Sequence, residues 1–183
     1  MPDGSLNPTL LAVRALDLDW IVARLMRAHG WDEERAARAV DHYRCVLEIA
    51  AEHPDRPIAP PTGADMAWHE HMLNTQRYVA DCFQVFGEFI HHDPELCGTP
   101  AFWDAWDFTR EQFAARRGVA LPPSAEMQAG HPDDLPIRRD QRGAVANDVM
   151  PKECIVMPRA VSAATPAEMR PKECILMPRR GAA

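Results

Sequence analysis

Apolar residues recur at helical spacing through the first two thirds of the chain. In LLAVRALDLDWIVARLMRAHG, the positions Leu11, Leu18, Ile21, Val22 and Leu25 predict one helix that stops at Gly30. Asp32 stands where an N-cap belongs. Ala36, Val40, Tyr43, Leu47 and Ala50 then follow at i, i+4, i+7, i+11 and i+14, a second helical face that ends at Pro54 and the loop RPIAPP. Thr62 opens a third segment, TGADMAWHEHMLNTQRYVADCFQVFGEFIHH, and Thr62 with Asp65 has the spacing of a capping box. Thr99 and Pro100 are placed as N-cap and first helical residue of AFWDAWDFTREQFAARRG, which Arg116, Arg117 and Gly118 close. No stretch sustains strand alternation. The expected fold is all-α, a bundle of about four helices within residues 1–118.

After Gly118 the pattern stops. Nine of the 17 prolines lie in the last 65 residues, which hold no Trp, Phe or Tyr. Such a stretch buries too little apolar surface to offset its ordering entropy, so a disordered linker is expected over 119–149 and a tail over 150–183. Inside the tail the decapeptide MPKECIVMPR (150–159) returns as RPKECILMPR (170–179), with eight of ten positions identical.

Charge narrows the partners. The chain of 183 residues carries a net charge of −7, with 11 basic and 19 acidic residues up to Gly118 and 9 and 8 after it. An acidic domain disfavours nucleic acid and anionic membrane as partners. No apolar run reaches the length of a membrane span, and the N-terminus lacks the marks of a secretory signal, so a cytoplasmic location is expected. Cysteines 45, 82, 97, 154 and 174, odd in number and widely spaced, suggest reduced thiols rather than a disulfide framework.

The densest chemistry lies in the third segment. Asp65, Trp68, His69 and His71, followed by Tyr78, Asp81 and Cys82, form a D-x-x-W-H-x-H…Y-x-x-D-C run. It resembles the signature segment of the glycine-rich domain-containing protein-like family, over residues 61–92. The glycine-rich part that names the family is missing. The resemblance implies a helical domain and brings no catalytic residue with it.

Helix geometry separates the two histidines of the run. At about 100° per residue, His69 and His71 point about 200° apart and cannot share an ion on an unbroken helix. Asp65 and His69, at i and i+4, can share a face. The metal candidates are thus Asp65 and His69, with a third ligand from His91, His92 or His42, and His71 as a separate candidate on another face. His71 with Cys82 is excluded, because eleven residues of helix span about 16 Å. Imidazole and carboxylate donors suit zinc, iron or copper without choosing. The zincin spacing H-E-x-x-H is absent from HEHM. The plain alternative makes Asp65 a capping residue and Trp68, Tyr78 and Phe86 core aromatics. Cys82 and Cys97 near His91 and His92 suggest a Cys–His pair, but a buried, inert Cys82 is the simpler reading. No phosphate loop or nucleophile elbow is present, so no catalytic residue is assigned and an enzyme is the less favoured expectation.

The repeats place Cys, Ile and Met where a solvated linker normally avoids them. They resemble the multi-core precursors of ribosomally synthesised, post-translationally modified peptides, in which Cys154 and Cys174 would be modified by a partner enzyme. Alternatively, Cys154 with Met157 and Cys174 with Met177 supply thiolate and thioether to copper(I). A third reading is a linear motif doubled for avidity, and a fourth is duplication without function. The favoured function is a precursor or scaffold whose helical domain presents the repeats. A non-catalytic metal-handling protein is the alternative, and a metal-dependent enzyme acting on its own tail comes third.

Overall fold

The structure, a computed structural model, describes residues 7–129. The expected linker beyond Ala129, both repeats and Cys154, Met157, Cys174 and Met177 lie outside the described residues. Among those described there are seven α-helices, one short 3-10 helix and no strand. The all-α expectation holds, with more and shorter helices than the pattern predicts.

The first predicted helix is two. Helix α1 (Pro8–Ala15) starts at Asn7, whose side chain accepts from the Thr9 amide. Helix α2 (Asp19–His29) ends at Gly30, which takes the left-handed conformation. Between them Leu16 and Leu18 are buried while Asp17 and Asp19 face water. The helix breaks at Leu16, which is extended at φ −63° and ψ 133°, and Leu18 has already returned to the right-handed helical region as the cap of α2. Arg44 donates to the carbonyls of Val13 at 3.0 Å and Leu16 at 3.1 Å, so the freed end of α1 is not left without partners.

Helix α3 (Glu33–Glu52) is the central element and packs on α1, α2, α4 and α6. The Asp32 side chain accepts from the Arg35 amide at 2.8 Å, as the N-cap reading expects. Helix α4 (Thr62–Leu73) begins one residue before the predicted box. Pro61 is the N-cap and makes no side-chain cap bond, and Thr62 is already helical. Asp65 therefore sits at the fourth helical position, one beyond that of a capping-box acid.

The third predicted segment also divides. Asn74, at φ −94° and ψ 69°, separates α4 from α5 (Thr75–Phe86). Its amide still donates to the His71 carbonyl at 3.0 Å. Helix α5 folds back against α4, and Gly87 ends it at φ 74°. The chain then runs through residues 88–93 to a 3-10 helix (Pro94–Leu96) and to α6 (Pro100–Arg117), whose N-cap is Thr99 and whose stop is Gly118.

The packed part does not end at Gly118. Helix α7 (Ser124–Ala129) follows, and the Trp106 indole donates to the Pro122 carbonyl at 2.9 Å. Leu121 and Met127 are buried. The first third of the expected disordered linker thus belongs to the fold, since it supplies buried apolar side chains and the acceptor of Trp106.

Trp68, Trp106, Tyr43, Phe102 and Phe113 are fully buried and form the core with the aliphatic faces of α2 and α3. Burial of each large apolar side chain contributes about 1.5–3 kcal/mol. Two buried carboxylates tie elements together. Glu48 meets Arg14 and Arg117, both at 3.1 Å. Glu70 meets Arg24 at 2.6 Å and His29 at 3.1 Å. Each is a carboxylate whose removal from water is offset by two partners.

Candidate metal centre

Asp65 and His69 lie one helical turn apart on α4, with Asp65 Oδ2 3.6 Å from His69 Nδ1. The third group comes from the segment after α5. His92 Nε2 stands 2.8 Å from His69 Nε2. One ligand atom from each of Asp65, His69 and His92 falls within 4.8 Å of the others. The Asp65 side chain is 4% exposed and that of His69 24%, so the carboxylate is internal and the imidazoles reach the surface.

The imidazole pair has the spacing of two donors to one ion, while Asp65 faces the other ring nitrogen of His69. Two imidazole nitrogens about 2.05 Å from one metal, at 90° to 110°, lie about 2.9–3.4 Å apart. The observed 2.8 Å needs only a slight opening of the pair. Without an ion it is the length of one N–H···N bond, in which one ring donates and the other accepts. One carboxylate and two neutral imidazoles leave a divalent ion with one net positive charge. They also leave coordination positions open on the exposed side. This donor set suits zinc, iron or copper(II).

Three candidates from the sequence are not in the cluster. His71 is 1% exposed and belongs to a separate buried network. Its Nδ1 accepts from the Tyr43 hydroxyl at 3.0 Å and its Nε2 donates to Asp81 Oδ2 at 3.1 Å, the tautomer that satisfies both partners. The rings of Trp20, Tyr43 and Tyr78 surround it edge-on. Burial holds the His71 pKa below its ordinary value of 6.5, against the opposing pull of Asp81. Neutral imidazole is the form this network fits. His91 is exposed and packs on Phe89, ring centres 4.9 Å apart, beside His53 and Arg56. His92 takes the place proposed for His91. His42 sets its ring at right angles to that of Phe113 and is not one of the three clustered groups.

The chain offered a signal for choosing between the neighbours. Ile90 is buried, His91 exposed and His92 half-buried. In extended backbone, residues two apart share a side, so the apolar Ile90 marks His92 as the inward one.

The break at Asn74 changes a second inference. On a continuous helix Asp81 would lie about 15 Å from His71. In the folded chain they are 3.1 Å apart. The same fold-back lets Trp68 Nε1 donate to the Tyr78 hydroxyl at 2.9 Å, and that hydroxyl donates to the Ile90 carbonyl at 2.6 Å. Cys82 interacts with the Tyr78 hydroxyl and the Ile90 backbone. The spaced residues of the D-x-x-W-H-x-H…Y-x-x-D-C run are therefore neighbours across one helix pair.

Cys45 and Cys82 are buried thiols. Burial raises the Cys82 pKa and pushes Cys45 up to about 11, which leaves both thiols protonated and inert. Both are free. Burial raises the pKa of Tyr43 and of Tyr78 as well, so both phenols stay neutral.

No family model, curated protein or solved structure matches the chain. No helix among the described residues is long and apolar enough to cross a membrane.

Proposed function

We propose that the helical domain binds a divalent transition-metal ion through Asp65, His69 and His92, and that the protein handles metal without acting as a catalyst. The observation that carries this reading is the convergence of three ligand atoms within 4.8 Å from two separate parts of the chain. A buried carboxylate beside two half-buried imidazoles is costly to assemble unless it binds a cation or a proton. The resemblance of residues 61–92 to the glycine-rich domain-containing protein-like family belongs to the same proposal, since that segment holds all three ligands. Zinc(II) and cobalt(II) uptake by the full chain, measured by equilibrium dialysis, tests it. One ion per chain is expected, lost in Asp65→Ala, His69→Ala and His92→Ala and kept in His91→Ala. Equal uptake by wild type and the first three variants would refute it.

The paired repeats favour a second role that is compatible with the first. Eight identities in ten at a fixed offset support a peptide that is read or modified. In this reading the helical domain presents Cys154 and Cys174 to a modifying enzyme. Intact mass of the protein from its native host decides it, and an unmodified tail counts against it.

A further inference from the structure

His92 is a candidate ligand on a segment without helix. The chain leaves α5 at Gly87, in the left-handed conformation, and does not turn helical again until Pro94. A side chain on such a segment is precise only if the backbone beside it is held. Two residues before His92 it is held. The Ile90 carbonyl accepts from the Tyr78 hydroxyl at 2.6 Å. That hydroxyl is itself fixed, because it accepts from Trp68 Nε1 at 2.9 Å. The Trp68 ring lies 5.4 Å from the His92 ring, centre to centre. Trp68 immediately precedes the candidate ligand His69 on α4. One indole therefore packs beside His92, the two rings tilted by 47°, and holds, through Tyr78, the backbone that carries it.

We propose that the Tyr78 hydroxyl, with Trp68 as its donor, is a positioning group that sets the His92 imidazole against His69. The Tyr78 hydroxyl bonds to Trp68 Nε1 and to the Ile90 carbonyl. It acts through the Ile90 carbonyl, and two residues of extended chain, about 6–7 Å, separate that anchor from His92. Partners of this kind commonly govern metal affinity about 10- to 100-fold without being ligands. The proposal deepens the metal reading of the same site, but the placement of the two rings can be measured with no metal present.

The test compares the full chain with Tyr78→Phe and Tyr43→Phe. Each variant loses one buried hydroxyl and keeps its ring. The Tyr43 hydroxyl bonds to His71, outside the cluster, so a merely structural role would affect both variants alike. Histidine side-chain nitrogen spectra of metal-free protein are expected to show shifted His69 and His92 signals in Tyr78→Phe, and a shifted His71 signal with His69 and His92 unmoved in Tyr43→Phe. In cobalt(II) titrations, Tyr78→Phe is expected to bind about 10- to 100-fold more weakly, while Tyr43→Phe matches wild type. Unmoved His92 signals in Tyr78→Phe, or equal effects of both variants, overturn the proposal. If the wild-type chain takes up no cobalt, the metal reading fails and the ring signals alone decide the positioning. If Tyr78→Phe does not fold, Trp68→Phe removes the donor together with part of the ring that packs near His92, and unmoved His92 signals in that variant overturn the proposal equally.

Discussion

Replacing His71 with leucine isolates the polar part of the buried network, because leucine fills most of the volume of the ring. Two hydrogen bonds disappear. One partner, Asp81, has a side chain 19% exposed and can turn to water. What is lost there is the charge-assisted bond itself, about 1.5–3 kcal/mol. The other partner, the Tyr43 hydroxyl, is buried and is left without an acceptor, which costs about 1–3 kcal/mol. With partial relaxation, a loss of about 2–4 kcal/mol is expected for His71→Leu, out of the roughly 5–15 kcal/mol a domain of this kind has. Tyr43→Phe removes the hydroxyl that leucine strands. The double variant is therefore expected to lose less than the sum of the singles, with a coupling of about 1–2 kcal/mol. Urea unfolding followed by circular dichroism at pH 7.5 measures all three. Additivity within about 0.3 kcal/mol, or a single-variant loss under about 1 kcal/mol, would refute the reasoning that His71 bridges Tyr43 and Asp81.

Three further outcomes are expected. The His71 pKa is depressed in the folded chain, so above about pH 6.5 the group is neutral in both states and its contribution is complete. As pH falls below 6.5 the unfolded chain takes up a proton that the folded chain does not, and stability drops until the folded pKa is passed. Wild type is thus expected to lose more stability than His71→Leu between pH 7.5 and 5, and parallel profiles would contradict this. Gly87→Ala forces a side chain to φ 74° and is expected to destabilise by about 1–2 kcal/mol. No neighbour lies within 4 Å of the added carbon, so Gly87→Asn should be milder, and thermal unfolding compares them. A chain ending at 118 loses the burial of Leu121 and Met127 and the acceptor of Trp106. It is expected to be less stable than a chain ending at 129 by about 3–5 kcal/mol. Equal urea midpoints by tryptophan fluorescence would show that residues 119–129 add nothing.

Much of this was legible where the physics is local. Asp32 and Thr99 cap the helices their positions predict, since capping depends on a few adjacent residues. Asp65 and His69 share a turn because i and i+4 always do on a helix. Features set by tertiary contact were not legible in the same way. The break at Asn74 falls inside a run whose apolar residues continue, and it is offset by contacts such as Trp68 to Tyr78 that form only after the chain has folded back. The break at Leu16 likewise falls within a longer helical pattern. Trp106 could not announce from sequence that it would find its acceptor beyond Gly118. His91 and His92 differ only in which side of an extended strand of backbone they take, and Ile90 decides that through its own burial.

The fold-back at Asn74 also bears on how the chain reaches its native state. The bonds that tie α4 to α5 and the segment after it join residues 10 apart for Trp68 with Tyr78 and His71 with Asp81, 12 apart for Tyr78 with Ile90, and 23 apart for His69 with His92. The bond from Arg117 to Asp41 spans 76 residues. Closing a short loop loses less chain entropy than closing a long one, so this helix pair is expected to form ahead of the docking of α6 on α3. Weakening it with Tyr78→Phe should slow refolding, whereas Arg117→Ala should mainly hasten unfolding.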